Sequence, residues 1–458
     1  MDTHSTRREL FTRRDLNKLI RPLIVEQLLA ISVGMFDTMM ISSLGDDAVS
    51  GVSLVDMINV LMINIFAALA TGGAVVCAHE VGLARVSEEK QDYVPARRAA
   101  KQLMVVLMVF SLVFAAVCYI FRAQILSAVF GDKEKAVIEH AVVYFGISTV
   151  SYPFIALYNG FAALFRTMGN SKITMLVSAV VNLVNVGGNA LLIYVFDCGV
   201  AGAAWSTTVS RMLGMAILMV LIMNKKRTIY IDFLEKFRLD ITIIKRILRI
   251  GVPSGLENSV FNLGRILTIS MMTSFGAEQL AANAVANNLD SLACVPGQAV
   301  GLAMVTVVGQ CIGAGDFDAA LRYEKKLMKM SYIYMGILGI VLISSLPLTL
   351  GLYRASAEAL RIAWILIMIH VGVGMMMWPM SFVTPHALRA AKDVRFTMLV
   401  SISSMFTFRL VLSYIIGVRC GLGIIGVWIA MLVDWMFRSV MFTWRVHSGR
   451  WLAKMPKQ

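Results

Sequence analysis

One carboxylate stands alone in an apolar run: Asp37, inside ISVGMFDTMMISSL (residues 31–44). With residues 19–30 added, the run is long enough to cross a bilayer. An ionised Asp in hydrocarbon costs about 2.5–3.5 kcal/mol on insertion scales, so it must face a hydrated, protein-lined interior. Two kinds of chemistry suit it: binding an ion or substrate, or a structural hydrogen bond between helices. The run Ser178–Val195 adds Asn182, Asn185 and Asn189. Asn185 and Asn189 lie four apart, on one helical face. Farther on come Ser206, Thr207, Thr208 and Ser210. Amide and hydroxyl oxygens suit Na⁺, or serve as partners for a protonatable Asp37; their bland alternative is interhelical hydrogen bonding worth about 0.6 kcal/mol per contact.

A second polar group falls in the other half. GVPSGLENSVFNLGRIL carries Glu257, Asn258, Asn262 and Arg265, and the next span carries Asn283, Asn287, Asn288 and Asp290. Pro253 frees backbone oxygens in its helix. Glu257 or Asp290 would attract a cationic substrate, or either would pair with Arg265. Trp378 follows three methionines, residues 375–377, which suit an adaptable apolar surface or simply fill a lipid-facing helix. His79 and Gln310 read as caps or lobe contacts, and His370 and His386 as ordinary polar contacts. Arg211, Arg409 and Arg438 read as snorkelling or as paired with carbonyls. Pro22 opens the first span and, taken alone, reads as an N1 proline.

The elements that position these residues follow from composition. The 458 residues are 58% hydrophobic and 15% charged, which excludes an ordinary soluble domain. About twelve apolar windows can be placed, giving an all-α polytopic membrane protein. The net charge of +14 needs no nucleic acid partner. Basic residues crowd the N-terminus, 83–101, 166–172, 224–249, 322–329, 389–395 and the C-terminus; the opposite loops carry few: Arg122, Lys133, Lys135, Arg354, Arg361 and Arg419. The positive-inside rule then puts both termini and the central linker in the cytoplasm. No cleavage-site pattern precedes the first span, so it reads as retained. The six cysteines are scattered singly, without a CxxC pair, so neither a metal nor a dithiol site is expected.

The halves repeat. SLGDDAVSGVSLVDMIN (43–59) aligns with SFGAEQLAANAVANNLD (274–290), and LFRTMGNSKIT (164–174) with ALRAAKDVRFT (387–397). Two six-span repeats joined by a cytoplasmic linker share one orientation. They are therefore related by a pseudo-twofold along the membrane normal, with a cavity between the lobes. The expected division is an N-terminal segment at 1–18, an N-lobe at 19–222, a linker at 223–248, a C-lobe at 249–444 and a tail at 445–458. Residues 231–249 read as an amphipathic interfacial helix.

VEQLLAISVGMFDTMMISSLG, GNSKITMLVSAVVNLVNVGGNALLI, GVAGAAWSTTVSR, GVPSGLENSVF and VVGQCIGAGD together resemble the multidrug and toxic compound extrusion (MATE) family over nearly the whole chain. The resemblance implies a secondary-active exporter of amphipathic, often cationic, organic compounds, exchanging Na⁺ or H⁺. In the branch with an N-lobe cation site, the first-helix Asp falls on Asp37, the fifth-helix Asn on Asn185 and the sixth-helix Thr on Thr207. A second fifth-helix acid falls on Asn189, an amide here, which leaves Asp37 as the main titratable group of that lobe. The helix-bending proline falls on Pro22. The other branch's C-lobe pair is not matched: Glu257 sits about one turn from its expected place and the tenth span carries no acid.

No ATPase motif is present, so transport must draw on an ion gradient and no cofactor is expected. The chain is expected as a monomer in the plasma membrane of a prokaryote, with drugs or toxic metabolites and membrane lipids as partners. Glu257, Asn258, Asn283, Asn287, Asp290 and Trp378 are the expected substrate contacts. The alternative is a flippase for a lipid-linked precursor; it would want extra spans or a strongly basic lateral groove, and the spans show few embedded basic residues. A membrane enzyme has no acid–base, nucleophile or metal constellation to support it.

Overall fold

The computed structural model describes residues 9–87, 92–131, 135–232, 235, 238–353 and 355–453. The first residues of the N-terminal segment, part of the linker, Lys133, Arg354 and the end of the tail lie outside them. Among the described residues the helices are α1 (Arg13–Leu44), α2 (Asp46–Val86), α3 (Val94–Ile120), α4 (Arg122–Phe130), α5 (Lys135–Val150), α6 (Tyr152–Thr167) and α7 (Ser171–Val195). They continue with α8 (Gly199–Ile222), α9 (Ile241–Met272), α10 (Ala277–Gly313), α11 (Phe317–Gly351), α12 (Ala357–Ala390), α13 (Val394–Arg419) and α14 (Gly423–His447).

Ten of these are long and apolar enough to cross a membrane, and α5 with α6, bent by 46°, makes an eleventh. This span is thus a bent pair, broken beside Ser151 and Pro153. α9 is 32 residues long but falls outside that set, with Glu257 and Arg265 lowering its hydropathy, so the described residues give ten or eleven candidate spans against about twelve expected. Part of the expected interfacial helix at 231–249 lies outside the described residues, and among those described it is not a separate element. Asp240 caps Thr242 and Ile243 through its side chain, and α9 runs unbroken from Ile241 through Pro253.

The repeat is visible in backbone geometry. α1 ends in a 3₁₀ turn (Ser42–Leu44), and Gly45, at φ 103° and ψ 168°, starts α2. α9 ends in the same turn (Thr273–Phe275), and Gly276, at φ 97° and ψ 164°, starts α10. Only glycine visits that region without strain of order 1–3 kcal/mol. Gly45→Ala or Gly276→Ala, each with open space around the site, should therefore lower stability by about 1–3 kcal/mol without changing packing; thermal denaturation in detergent reads it. Gly169 (φ 77°) and its aligned partner Lys392 (φ 61°) share a second such turn.

Three apolar cores divide the molecule, one across α2–α8 and two across α10–α14. α1 does not stay in one of them. Leu16, Leu19, Ile20 and Leu23 are buried with α10, α11 and α12 residues, while α7 runs along α1 from Ser171 at Leu19 to Asn189 at Asp37. Phe11 and the Tyr323 hydroxyl exchange two hydrogen bonds, at 2.9 and 2.7 Å, and the Tyr334 hydroxyl donates to Asn17 at 3.0 Å. Pro22 lies in the interior of α1 and not at N1. Lacking an N–H, it cannot satisfy the carbonyl of Lys18; the Ser171 hydroxyl of α7 approaches that carbonyl at 3.3 Å and the Leu19 carbonyl at 2.6 Å.

Candidate functional site

The two lobes meet tightly at the end that carries the basic loops. His79 Nε2 of α2 donates to the Ala390 carbonyl at 2.7 Å, and Gln310 Nε2 of α10 donates to the Thr167 carbonyl at 2.7 Å. These two bonds are images of each other under the repeat, so His79 and Gln310 are lobe contacts and not caps. Glycine allows the approach: a Cβ on Gly82 would meet the Gln310 carbonyl oxygen at 2.1 Å, and one on Gly313 the His79 carbonyl oxygen at 2.1 Å. Arg246 of α9 adds an ion pair to Glu80 of α2 at 2.8 Å. Beside it, in the turn after α12, burial holds the Lys392 ammonium below its ordinary pKa, with Arg246 adding to that push.

In the N-lobe, α1 and α7 bring Asp37 and Asn189 together. Asn189 Nδ2 donates to Asp37 Oδ1 at 2.5 Å. Because a carboxylate oxygen accepts, the Asn189 amide is oriented, and its own oxygen is buried without a partner. One turn earlier, Asn185 Nδ2 donates to Thr207 Oγ1 at 3.1 Å, and the Asn185 amide oxygen is likewise buried and unpartnered. Ser206 ties the Asn185 carbonyl at 2.7 Å, and Asn182 Nδ2 donates to the Leu29 carbonyl of α1 at 2.9 Å. Directly after Asn189 the helix widens into a π-turn, Ala190–Val195, a feature frequent at functional sites. A carboxylate with orphaned amide oxygens is a donor set for a small hard cation or a proton.

Asp37 has neighbours that sequence reading did not bring to it. Asp56 of α2 and Arg211 of α8 lie within electrostatic range of it. Arg211 does not snorkel to the interface; its Nη1 donates to Ser151 Oγ at 2.7 Å. Glu26 of α1 was missed entirely: it accepts from Thr174 Oγ1 at 2.6 Å and lies 4.0 Å from Arg166. The signal was available, since continuing the Gly45/Gly276 register backward puts Glu26 on Glu257.

The C-lobe repeats that arrangement. Glu257 is held by Arg389 at 3.0 Å, Ser401 at 2.7 Å and Thr397 at 3.3 Å, with Arg389 and Thr397 aligned on Arg166 and Thr174. Glu257 therefore pairs with Arg389 and not Arg265. Asp290 pairs with the buried His370 Nδ1, so His370 is half of an acid–imidazole contact. Arg409 and Arg438 do not snorkel: both face Asp434 of α14, a fully buried acid missed in the sequence, at 3.8 and 3.0 Å, and Arg438 also reaches the Ser401 carbonyl at 3.2 Å. Removing one partner of such a pair leaves a buried charge, at a cost of about 3–5 kcal/mol. Glu257→Gln and Arg389→Gln should each destabilise strongly, and the double variant less than their sum; melting curves of the three variants decide it.

Between the lobes lies a cavity of about 480 Å³. Glu257, Asn258, Asn287, Asp290 and Trp378 line it; Asn283 does not, being turned away to accept from Trp428 Nε1 at 3.1 Å and from Asn287 at 2.9 Å. Gln27, Asn64 and Thr71 supply its N-lobe wall. The expectation of few embedded basic residues is corrected here, because Arg265, Arg389, Arg409 and Arg438 converge on this one space. They come from separate helices, so no basic run shows in the sequence. No cluster of metal-ligating side chains occurs among the described residues.

The MatE family model matches residues 22–191 and 253–415, that is, both repeats. The chain is 27% identical to the transporter YisQ of Bacillus subtilis (strain 168), over 96% of this chain and 95% of that one. It is 24% identical to the probable multidrug resistance protein NorM of Thermotoga maritima (strain ATCC 43589 / DSM 3109 / JCM 10099 / NBRC 100826 / MSB8), over 96% and 93%. Among solved structures, a MATE protein in the bent conformation superposes with a TM-score of 0.84 at 20% identity, covering 96% of each chain. An outward-facing multidrug resistance MATE family transporter of the MOP superfamily gives 0.84 at 19%, again over 96% of each. With its two repeats matched and its helices superposed throughout, the chain belongs to the MatE family of multi-pass membrane transporters and is not an enzyme.

Proposed function

We propose that the protein is a secondary-active multidrug efflux antiporter that exports amphipathic organic compounds, cationic ones among them, in exchange for Na⁺ or H⁺. Asp37, Asn185, Asn189 and Thr207 form the cation-coupling site, and Pro22 is the bending point of α1. The observation that carries this reading is the course of α1. Its far half holds Asp37 on the Asn189 amide nitrogen, one turn from Asn185, and both asparagines keep a buried amide oxygen without a partner, while its near half is packed into the opposite lobe's core. A cation arriving at Asp37 competes with Asn189 for the carboxylate and changes how α1 seats on α7. That change reaches the lobe seal through the same helix. Coupling requires that the cation bind the two states unequally, and only the geometry at the far half of α1 has to differ.

The chain then sits in the plasma membrane of a prokaryote with both termini cytoplasmic, working as a monomer. The sealed end is cytoplasmic, so the conformation is outward-facing. Drugs enter the cavity beside Glu257, Asn258, Asn287, Asp290 and Trp378 from the cytoplasm or inner leaflet when the seal opens. The N-lobe and C-lobe hinge about the linker at 223–248. The flippase alternative is not favoured, since relatives such as the NorM proteins of Thermotoga maritima and Burkholderia pseudomallei carry multidrug resistance names.

Proteoliposomes loaded with ethidium, given a Na⁺ gradient or a pH gradient separately, test the reading. Export driven by one gradient names the ion. A protein that moves no compound under either gradient, while remaining folded, is not this antiporter.

A further inference from the structure

The inter-lobe cavity has more positive charge than its carboxylates can use. Glu257 is fully engaged by Arg389 and two hydroxyls. Asp434 is shared by Arg409 and Arg438, so one carboxylate faces two guanidiniums. Ser404 also donates to its Oδ1, which leaves Asp434 still less free for anything in the cavity. Asp290 is taken by His370. Arg265 has no hydrogen bond or ion pair among the described residues, although Asp290 lies within its electrostatic range. The N-lobe wall, Gln27, Asn64 and Thr71, is neutral.

A cation entering this cavity meets acids already occupied. Four guanidiniums, Arg265, Arg389, Arg409 and Arg438, face three carboxylates, Glu257, Asp290 and Asp434, so an anion meets one surplus guanidinium, and Arg265 is the one in no direct ion pair among the described residues. Part of the C-lobe wall is aromatic, set among polar and small apolar side chains. Phe382 stacks on Trp378 at 4.9 Å between ring centroids and meets Trp435 edge-on at 5.6 Å. Phe261 lies beneath both Arg409 and Arg438, each 5.2 Å from its ring centre. A guanidinium recognises carboxylate or phosphate by charge-assisted hydrogen bonds, and the volume suits a small two-ring body.

We infer that this cavity binds amphiphiles carrying a monoanionic head, carboxylate or phosphate, with the head on Arg265 and the apolar body on the wall of Trp378, Phe382 and Trp435. The inference narrows the substrate class of the exporter and rests on that reading for the transport step only; the binding preference stands by itself.

The test is calorimetric titration of the purified full chain in phosphatidylcholine nanodiscs, with empty discs as blanks. The probes are a matched pair, 1-naphthaleneacetate and (1-naphthylmethyl)trimethylammonium. The expected result is tighter binding of the acetate, about tenfold weaker in Arg265→Gln, retained in Arg265→Lys, and with the cation unaffected or improved by the Gln change. Equal or tighter binding of the cation by wild type overturns the inference, as does an Arg265→Gln variant that keeps the anion preference. Because Arg265 holds no partner, its replacement should leave the melting temperature unchanged; if it does not, the wild-type pair alone still decides. Adding phosphatidylglycerol to the discs separates two sources of the head group. Competition assigns a lipid phosphate, and its absence a soluble amphiphile, and both support an anion site. Failure here leaves gradient-driven export of ethidium untouched, whereas failure of that export leaves the binding preference standing.

Discussion

Replacing Asp37 by Asn is expected to abolish gradient-driven export while the protein remains in the membrane at its normal amount. The change keeps shape and volume. It removes the ionisable group that holds Asn189 of α7, and with it the group able to take up a proton or neutralise Na⁺. Its structural cost is small because the carboxylate is only partly enclosed and has one direct partner, Asn189. An amide in its place still offers an oxygen to Asn189 Nδ2. A structural role for Asp37 would give the opposite pattern, with a lowered melting temperature and transport surviving in the fraction that folds. Transport assays at matched protein amounts, alongside melting curves, separate the two. Asn189→Asp is the companion experiment: a second carboxylate beside Asp37 should raise cation affinity and slow release, because like charges so close bind a shared cation or proton strongly.

The second large effect is expected at the lobe seal. Gly82→Ala and Gly313→Ala each place a methyl carbon 2.1 Å from a backbone carbonyl oxygen of the other lobe. Backbone on both sides cannot rotate away, so the sealed conformation must open slightly or lose His79–Ala390 and Gln310–Thr167. Overpacking of this sort costs about 1–3 kcal/mol, which shifts the balance between the two states by about 5- to 150-fold toward the open seal. Export should fall by a comparable factor, with the protein still folded. A cysteine placed at Ala78, in a background freed of the native cysteines, reports the opening. It is buried against the other lobe in wild type and should react with an impermeant maleimide applied from the basic-loop side in either variant. Gly34→Ala is the control, since nothing lies within 4 Å of its Cβ position. Equal labelling in all three would show that the seal does not limit the cycle.

The chain alone specified the class, the approximate spans, the repeat and Asp37 as an isolated acid facing an amide helix. Those features are carried by hydropathy over some twenty residues and by local spacing, both one-dimensional properties of the chain. The repeat even reached conformation: Gly45 and Gly276 are aligned in sequence and adopt the same backbone geometry, because only glycine accepts it. Tertiary structure decided which charges meet. Glu257 lies eight residues from Arg265 in sequence and pairs instead with Arg389, a residue from α12. Asp434 has Arg438 four residues on along its own helix, but its second arginine, Arg409, comes from α13, and Asp290 finds His370 on α12. A buried charge takes whichever partner the packing of helices brings within about 4 Å, since leaving it unpaired costs several kcal/mol. Spacing along one helix cannot reveal a partner on another, and so the polarity of the cavity emerged only when the helices were in place.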